Sequence, residues 1–160
     1  MTDQKPDLGP YFTLLGRFTH WWAYAEHGMD VMMAIIYHKY DAQKVVNRKL
    51  PLGGFDQKLT YLRNAIVKLP AIAAYATLPS LLDRMDKLSE DRHLFTHGAP
   101  LDYDTQITTM YKMNFQKGTF LIERTERRVT LTELETMADE ATALADALVA
   151  TAHEMVLKFA

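Results

Sequence analysis

Arg92 and His97 lie five positions apart in the stretch Ser89-Glu90-Asp91-Arg92-His93-Leu94-Phe95-Thr96-His97-Gly98. Arginine keeps its proton near neutral pH, whereas histidine takes one up or gives one away there. Such a pair can hold a phosphate and move a proton beside it. With eight arginines and six histidines in the chain, about one such spacing is expected by accident, so the spacing alone has little weight. Its context adds some. The segment reads as the last turns of an apolar-periodic helix, stopped by Gly98 and Pro100, so both side chains are held. A helix C-terminus also favours the protonated imidazole. The plainer reading pairs Arg92 with Glu90, Asp91 or Asp86 and leaves His97 as a helix cap.

Glu26 is the second unusual residue. It stands one helical turn from Trp22, close to an apolar stripe. A carboxylate there needs a partner. It either pairs with Arg92 or orients His97, or it takes a core-facing Lys or Arg or turns to solvent at the edge of the stripe. Glu90-x-x-His93 has the spacing used by di-iron helix bundles. No second Glu-x-x-His exists, and His20 with His27 supplies two ligands without a third, so no metal site is expected. Nucleophilic chemistry has no support: cysteine is absent, and Ser80 and Ser89 are outside any nucleophile motif. Gly53-Gly54 lacks the lysine and spacing of a phosphate loop. No cofactor is expected.

The elements that position these residues are mostly helical. Leu15, Phe18, Trp22, Ala25, Met29, Met32 or Met33, and Ile36 recur at three- and four-residue steps, predicting a helix from Pro10 to about Tyr40. Tyr11, Leu14, Trp21 and Ile35 widen its apolar face, so the helix sits between layers or in an oligomer interface. Pro51-Leu52-Gly53-Gly54 breaks the chain. A second helix follows with Phe55, Leu59, Leu62, Ile66 and Leu69, ended by Pro70. Residues 71–78 read as a helical connector. Pro79-Ser80 opens a third helix, carrying Leu81, Leu82, Met85, Leu88 and Phe95 to His97. Over residues 106–129 the period changes to two, with a turn at Gln116-Lys117-Gly118, predicting a β-hairpin. Thr130-Leu131-Thr132-Glu133 then matches a capping box for the final helix. The expected fold is mainly α, a four-to-five-helix bundle over residues 1–160 with a β-hairpin inserted before the C-terminal helix.

Composition bounds the rest. A chain of 160 residues with 48% hydrophobic and 24% charged residues suits one globular domain. No apolar run is long enough for a membrane span, and the N-terminus lacks a signal-peptide core. A cytoplasmic location without membrane contact is therefore expected. The net charge of -2 argues against a broad nucleic-acid footprint. It leaves room for a local basic cleft around Lys58, Arg63 and Lys68, or around Arg124, Arg127 and Arg128, although solvated surface is the plainer reading of both.

The segment Arg92 to Gly98, the long first helix with Trp22 and Glu26, and Phe55-x-x-Lys58 opening the second helix together resemble the HEPN superfamily. These are small helical bundles marked by R-x(4–6)-H near a helix end. The resemblance spans most of the chain, and only the Arg92 to Gly98 segment is motif-grade. It implies a metal-independent endoribonuclease whose site forms between the subunits of a homodimer. Arg92 would bind the RNA phosphate, and His97 would act as general base or acid for attack by the 2′-hydroxyl. His93, Thr96, Glu26 and Lys58 would be supporting groups. The resemblance also admits a non-catalytic interaction module, such as a toxin-antitoxin-type partner of another protein.

Overall fold

The apolar steps read from the sequence are buried along one side of α1 (Gly9–Lys39): Phe18, Trp22, Ala25, Met29, Met32, Met33 and Ile36. The structure, a computed structural model, describes residues 7–40, 53–103, 107–115 and 122–159. Pro10 occupies the first turn of α1, where its missing N–H costs nothing. The other helices are α2 (Phe55–Lys68), the single turn α3 (Pro70–Ala73), α4 (Leu78–His97) and α5 (Leu131–Phe159). Pro51-Leu52, part of the expected breaker, lies outside the described residues.

The core is built around α1 and α5. Gly28 on α1 faces Leu148 of α5, and Ala25 of α1 and Leu144 and Ala145 of α5 are fully buried. A Cβ on Gly28 would stand 3.1 Å from backbone atoms of Leu148 and Val149, so small residues let the two helices touch. Contacts advance in the same sense along both, from Arg17 with Asp139 to Gly28 against Leu148, so α1 and α5 run parallel. A parallel pair needs a return path, which α2, α3, α4 and the sheet supply. Leu59, Tyr61 and Leu62 of α2 and Leu78, Leu81, Leu82, Met85 and Leu88 of α4 close the other side of the core.

Between α4 and α5 lies an antiparallel sheet of order β1-β2-β3, with β1 Ala99–Tyr103, β2 Ile107–Phe115 and β3 Ile122–Thr130. The expected hairpin is present as β2 and β3, in register from Ile107↔Thr130 to Phe115↔Ile122. Its expected turn at Gln116-Lys117-Gly118 lies outside the described residues. The structure adds β1, which pairs with β2 through a register shift between Pro100 and Asp102. Pro100 and the short length hide this strand from a periodicity reading. Thr108, Met110 and Val129 are buried, which turns their face of the sheet toward the bundle. The Tyr11 hydroxyl donates to Met110 Sδ at 3.5 Å across that contact.

The capping box forms as the sequence predicts. Glu133 N donates to Thr130 Oγ1 at 3.1 Å, and Glu133 Oε2 accepts from Thr130 N at 2.8 Å. The Thr130 N–H and the Thr130 hydroxyl, which donates to the same Oε2 at 2.9 Å, hold the Glu133 carboxyl below the usual range. Among the described residues, no helix is long and apolar enough to cross a membrane.

Candidate functional site

The last turn of α4 is fixed by its apolar residues. Leu94 and Phe95 are buried, and the Phe95 ring packs edge to face on Phe18 with centroids 5.8 Å apart. That orientation leaves Arg92 half-buried and turns His93, Thr96 and His97 outward. The helix ends at Gly98, whose N–H donates to Leu94 O at 2.7 Å. Gly98 has φ of -83°, so no left-handed backbone requires glycine there. Space does: a Cβ would meet Leu94 O at 2.3 Å and Tyr111 O at 2.9 Å.

Arg92 and His93 open onto a groove of about 420 Å³ between α1, the start of α2 and α4. Trp22, Phe55, Asp56, Gln57, Ser89 and Glu90 also line it. The Trp22 and Phe55 rings are tilted together, with centroids 5.0 Å apart. His97 does not line the groove. It reaches its edge through His93, whose ring meets that of His97 at 4.7 Å between centroids. Thr96 turns its hydroxyl back to Arg92 O at 2.8 Å, which steadies the turn.

The carboxylates weighed as partners of Arg92 are engaged elsewhere or exposed. Asp91 pairs with Arg127 of β3. Asp86 pairs with Arg63 at 3.0 Å. Glu90 is exposed at the groove rim. Among the described residues, the Arg92 guanidinium has no ion-pair or hydrogen-bond partner.

Glu26 takes the core-facing lysine rather than Arg92 or His97. Lys58 Nζ donates to Glu26 Oε1 at 2.9 Å and to Asp30 Oδ2 at 2.9 Å. Trp22 Nε1 donates to Glu26 Oε2 at 3.2 Å. Glu26 and Lys58 therefore stand behind the groove and reach it through the indole of Trp22. Burial pushes the Lys58 ammonium down, but its hydrogen bonds to Asp30 and Glu26, with their charges, outweigh burial and hold it above the ordinary lysine range. Asp30 was not read as part of this set. Its position four residues after Glu26, on the same helix face, was the available signal. The groove residues Gln57, Ser89 and Asp56 left no such trace.

A larger hollow of about 550 Å³ lies between α4 and α5, lined by Arg84, Lys87, Asp91, Met137 and Glu140 among others. Its charges are largely satisfied, with Arg84 bound to Glu140 at 2.7 and 2.9 Å. It carries no histidine. Glu90 and His93 share the first groove, but among the described residues no three metal-ligating side chains converge. His20 and His27 instead rest against the rings of Trp21 and Tyr24.

Fold and site together define a mainly helical bundle whose aromatic-walled groove holds His93 and a cation, Arg92, that is unpaired among the described residues. No protein-family model matches the chain, and neither a curated protein nor a solved structure matches it.

Proposed function

We propose that the protein is a cytoplasmic, metal-independent endoribonuclease of HEPN type. Arg92 binds the scissile phosphate, and His97 transfers the proton. The 2′-oxygen bonds to phosphorus while the 5′-oxygen leaves, giving a cyclic phosphate and a 5′-hydroxyl end. His97 takes the 2′-hydroxyl proton while water protonates the leaving oxygen, or it protonates the leaving oxygen while water takes the 2′-hydroxyl proton. One observation carries this reading: the Arg92 guanidinium opens into a groove with no internal partner among the described residues, while Asp86 and Asp91 are bound to other arginines. Asp56 and Glu90 also line the groove, but neither is paired with Arg92, and a guanidinium without an ion-pair partner among the described residues is ready for a phosphate. His93 and Thr96 support the pair, and Glu26 and Lys58 brace Trp22 behind it. A homodimer, as the HEPN resemblance implies, would set His97 of one copy beside the Arg92 groove of the other.

The test is cleavage of single-stranded RNA in EDTA. Wild-type protein cleaves, and Arg92→Ala and His97→Ala each lose activity while keeping the wild-type melting temperature. Cleavage that survives both substitutions refutes the reading.

A second reading, a non-catalytic interaction module of toxin-antitoxin type, is favoured by one observation. Tyr24 and Val156 are exposed beside Val31 and Val149 on the outer side of α1 and α5. That strip suits a protein partner. This reading expects no cleavage at any protein concentration and a stable complex with that partner.

A further inference from the structure

The outer face of the sheet carries an arginine, Arg128, without a partner among the described residues. Strand alternation sets this face: Thr108, Met110 and Val129 are buried, so Thr109, Tyr111, Arg124 and Arg128 stand on the opposite side. Arg127, on the inward side, is turned to Asp91 of α4 and ties the sheet beside Arg92. On the outer face the Arg124 guanidinium lies over the Tyr111 ring, 4.9 Å from its centroid. Glu126 sits opposite Tyr111 and is bound to Arg124 at 2.6 Å. Arg128, opposite Thr109, is exposed and has no partner among the described residues. Arg124 and Arg128 are four positions apart, about 14 Å along an extended strand.

The strand that carries Tyr111 runs beside the end of α4. Tyr111 pairs with Ala99, two residues beyond His97. Its carbonyl oxygen is also the group that a Cβ on Gly98 would strike at 2.9 Å. A planar aromatic ring backed by a guanidinium stacks bases of any identity, and an unpaired arginine further along the strand meets a phosphate. Single-stranded RNA is read in this way, by stacking on sheet aromatics and by backbone cations.

We infer that Tyr111, Arg124 and Arg128 form a track for single-stranded RNA that delivers the strand to the end of α4. This rests on the reading of RNA as the substrate. A base stacks on Tyr111, and Arg128 holds a phosphate further along the chain. Tyr111 and Arg128 are binding residues and touch no bond that changes.

The experiment measures binding apart from cleavage. A fluorescein-labelled 2′-O-methyl oligouridine lacks the attacking hydroxyl, and its anisotropy reports affinity alone. Tyr111→Ala is expected to weaken binding about ten-fold, the scale of one stacked base, and Arg128→Ala to weaken it measurably through one lost phosphate contact. Arg128→Ala also lowers the slope of log affinity against log salt by about 0.7, one phosphate contact on a single strand. Tyr111→Phe keeps near-wild-type affinity, and thermal melts show each variant folded. Wild-type affinity and an unchanged salt slope in both alanine variants overturn the track, as does a wild-type protein that binds no oligouridine. If those variants bind normally while Arg92→Ala abolishes cleavage of unmodified RNA, the track fails and the ribonuclease reading stands. If they lose binding while wild-type protein cleaves nothing, the track stands and the ribonuclease reading fails.

Discussion

The imidazole of His93 meets that of His97 edge to face, their ring centroids 4.7 Å apart. His93 lines the groove beside Arg92, and His97 does not. Only one of the two rings needs to move the proton. If His97 does so, His97→Ala lowers kcat about 100-fold or more, the scale of general acid-base catalysis. His93→Ala, which removes a neighbour of His97 rather than the acid-base group, lowers it about ten-fold and changes the pH profile of kcat. Initial rates of both variants across pH 5 to 9 check this. A His97→Ala protein as active as wild type, beside an inactive His93→Ala, would move the acid-base role to His93.

Lys58 is buried between Glu26 and Asp30. Lys58→Met strips the cation from two carboxylates, one of which also holds the Trp22 indole. Losing one member of a buried pair costs about 3–5 kcal/mol, and the partial exposure of both acids reduces that here to about 2 kcal/mol. Urea unfolding followed by tryptophan fluorescence measures the loss. Adding Glu26→Gln to Lys58→Met should recover part of it, and no recovery would mean that the carboxylates are already well solvated.

Gly98→Ala pushes a methyl group into two backbone carbonyls that cannot swing away. The expected cost is about 1–3 kcal/mol, typical of overpacking. Because the strike involves Tyr111, the pairing of β1 with β2 should loosen first. Faster amide exchange at residues 99–103 and 107–111 than in the helices is the expected pattern. A variant as stable as wild type would show that the end of α4 moves freely against β2.

The Tyr61 hydroxyl is buried without a hydrogen-bond partner among the described residues. Burial, with a smaller push from Tyr37, raises this phenol to about 12. The unfolded chain releases the proton near pH 10, so stability falls as pH rises from about 10 to about 12. Tyr61→Phe reduces that dependence, and Tyr40 and Tyr75, which burial also raises, keep the remainder. At neutral pH the variant is expected to match wild type or exceed it by up to about 1 kcal/mol, since no bond is lost. Thermal melts at pH 7 and pH 11 check both parts, and a large loss at pH 7 would reveal a partner for the hydroxyl.

Much of this architecture is legible along the chain. The steps from Phe18 to Ile36 place α1, the change of period after Ile107 places the hairpin, and Thr130 with Glu133 marks the start of α5. Each depends on residues within a few positions of one another, where backbone geometry sets which side chains share a face. Gly98 was read correctly as a helix end, but what demands glycine is the approach of Tyr111, which a local reading does not contain. β1 escaped for a related reason. Its five residues include Pro100, and it is defined by pairing with β2 rather than by its own pattern.

Local order along the chain was enough to specify the elements and to put Arg92, His93, Thr96 and His97 on one helix end. It left open which acid meets which base. Glu26 had several partners in prospect and found Lys58, 32 residues away; Asp91 had its neighbour Arg92 in prospect and found Arg127, 36 residues away. Hydrogen bonds and Coulomb attraction follow distance in space and the water excluded between groups, and neither is set until the helices close on one another. That closure is what leaves the Arg92 guanidinium facing a groove without an ion-pair partner among the described residues.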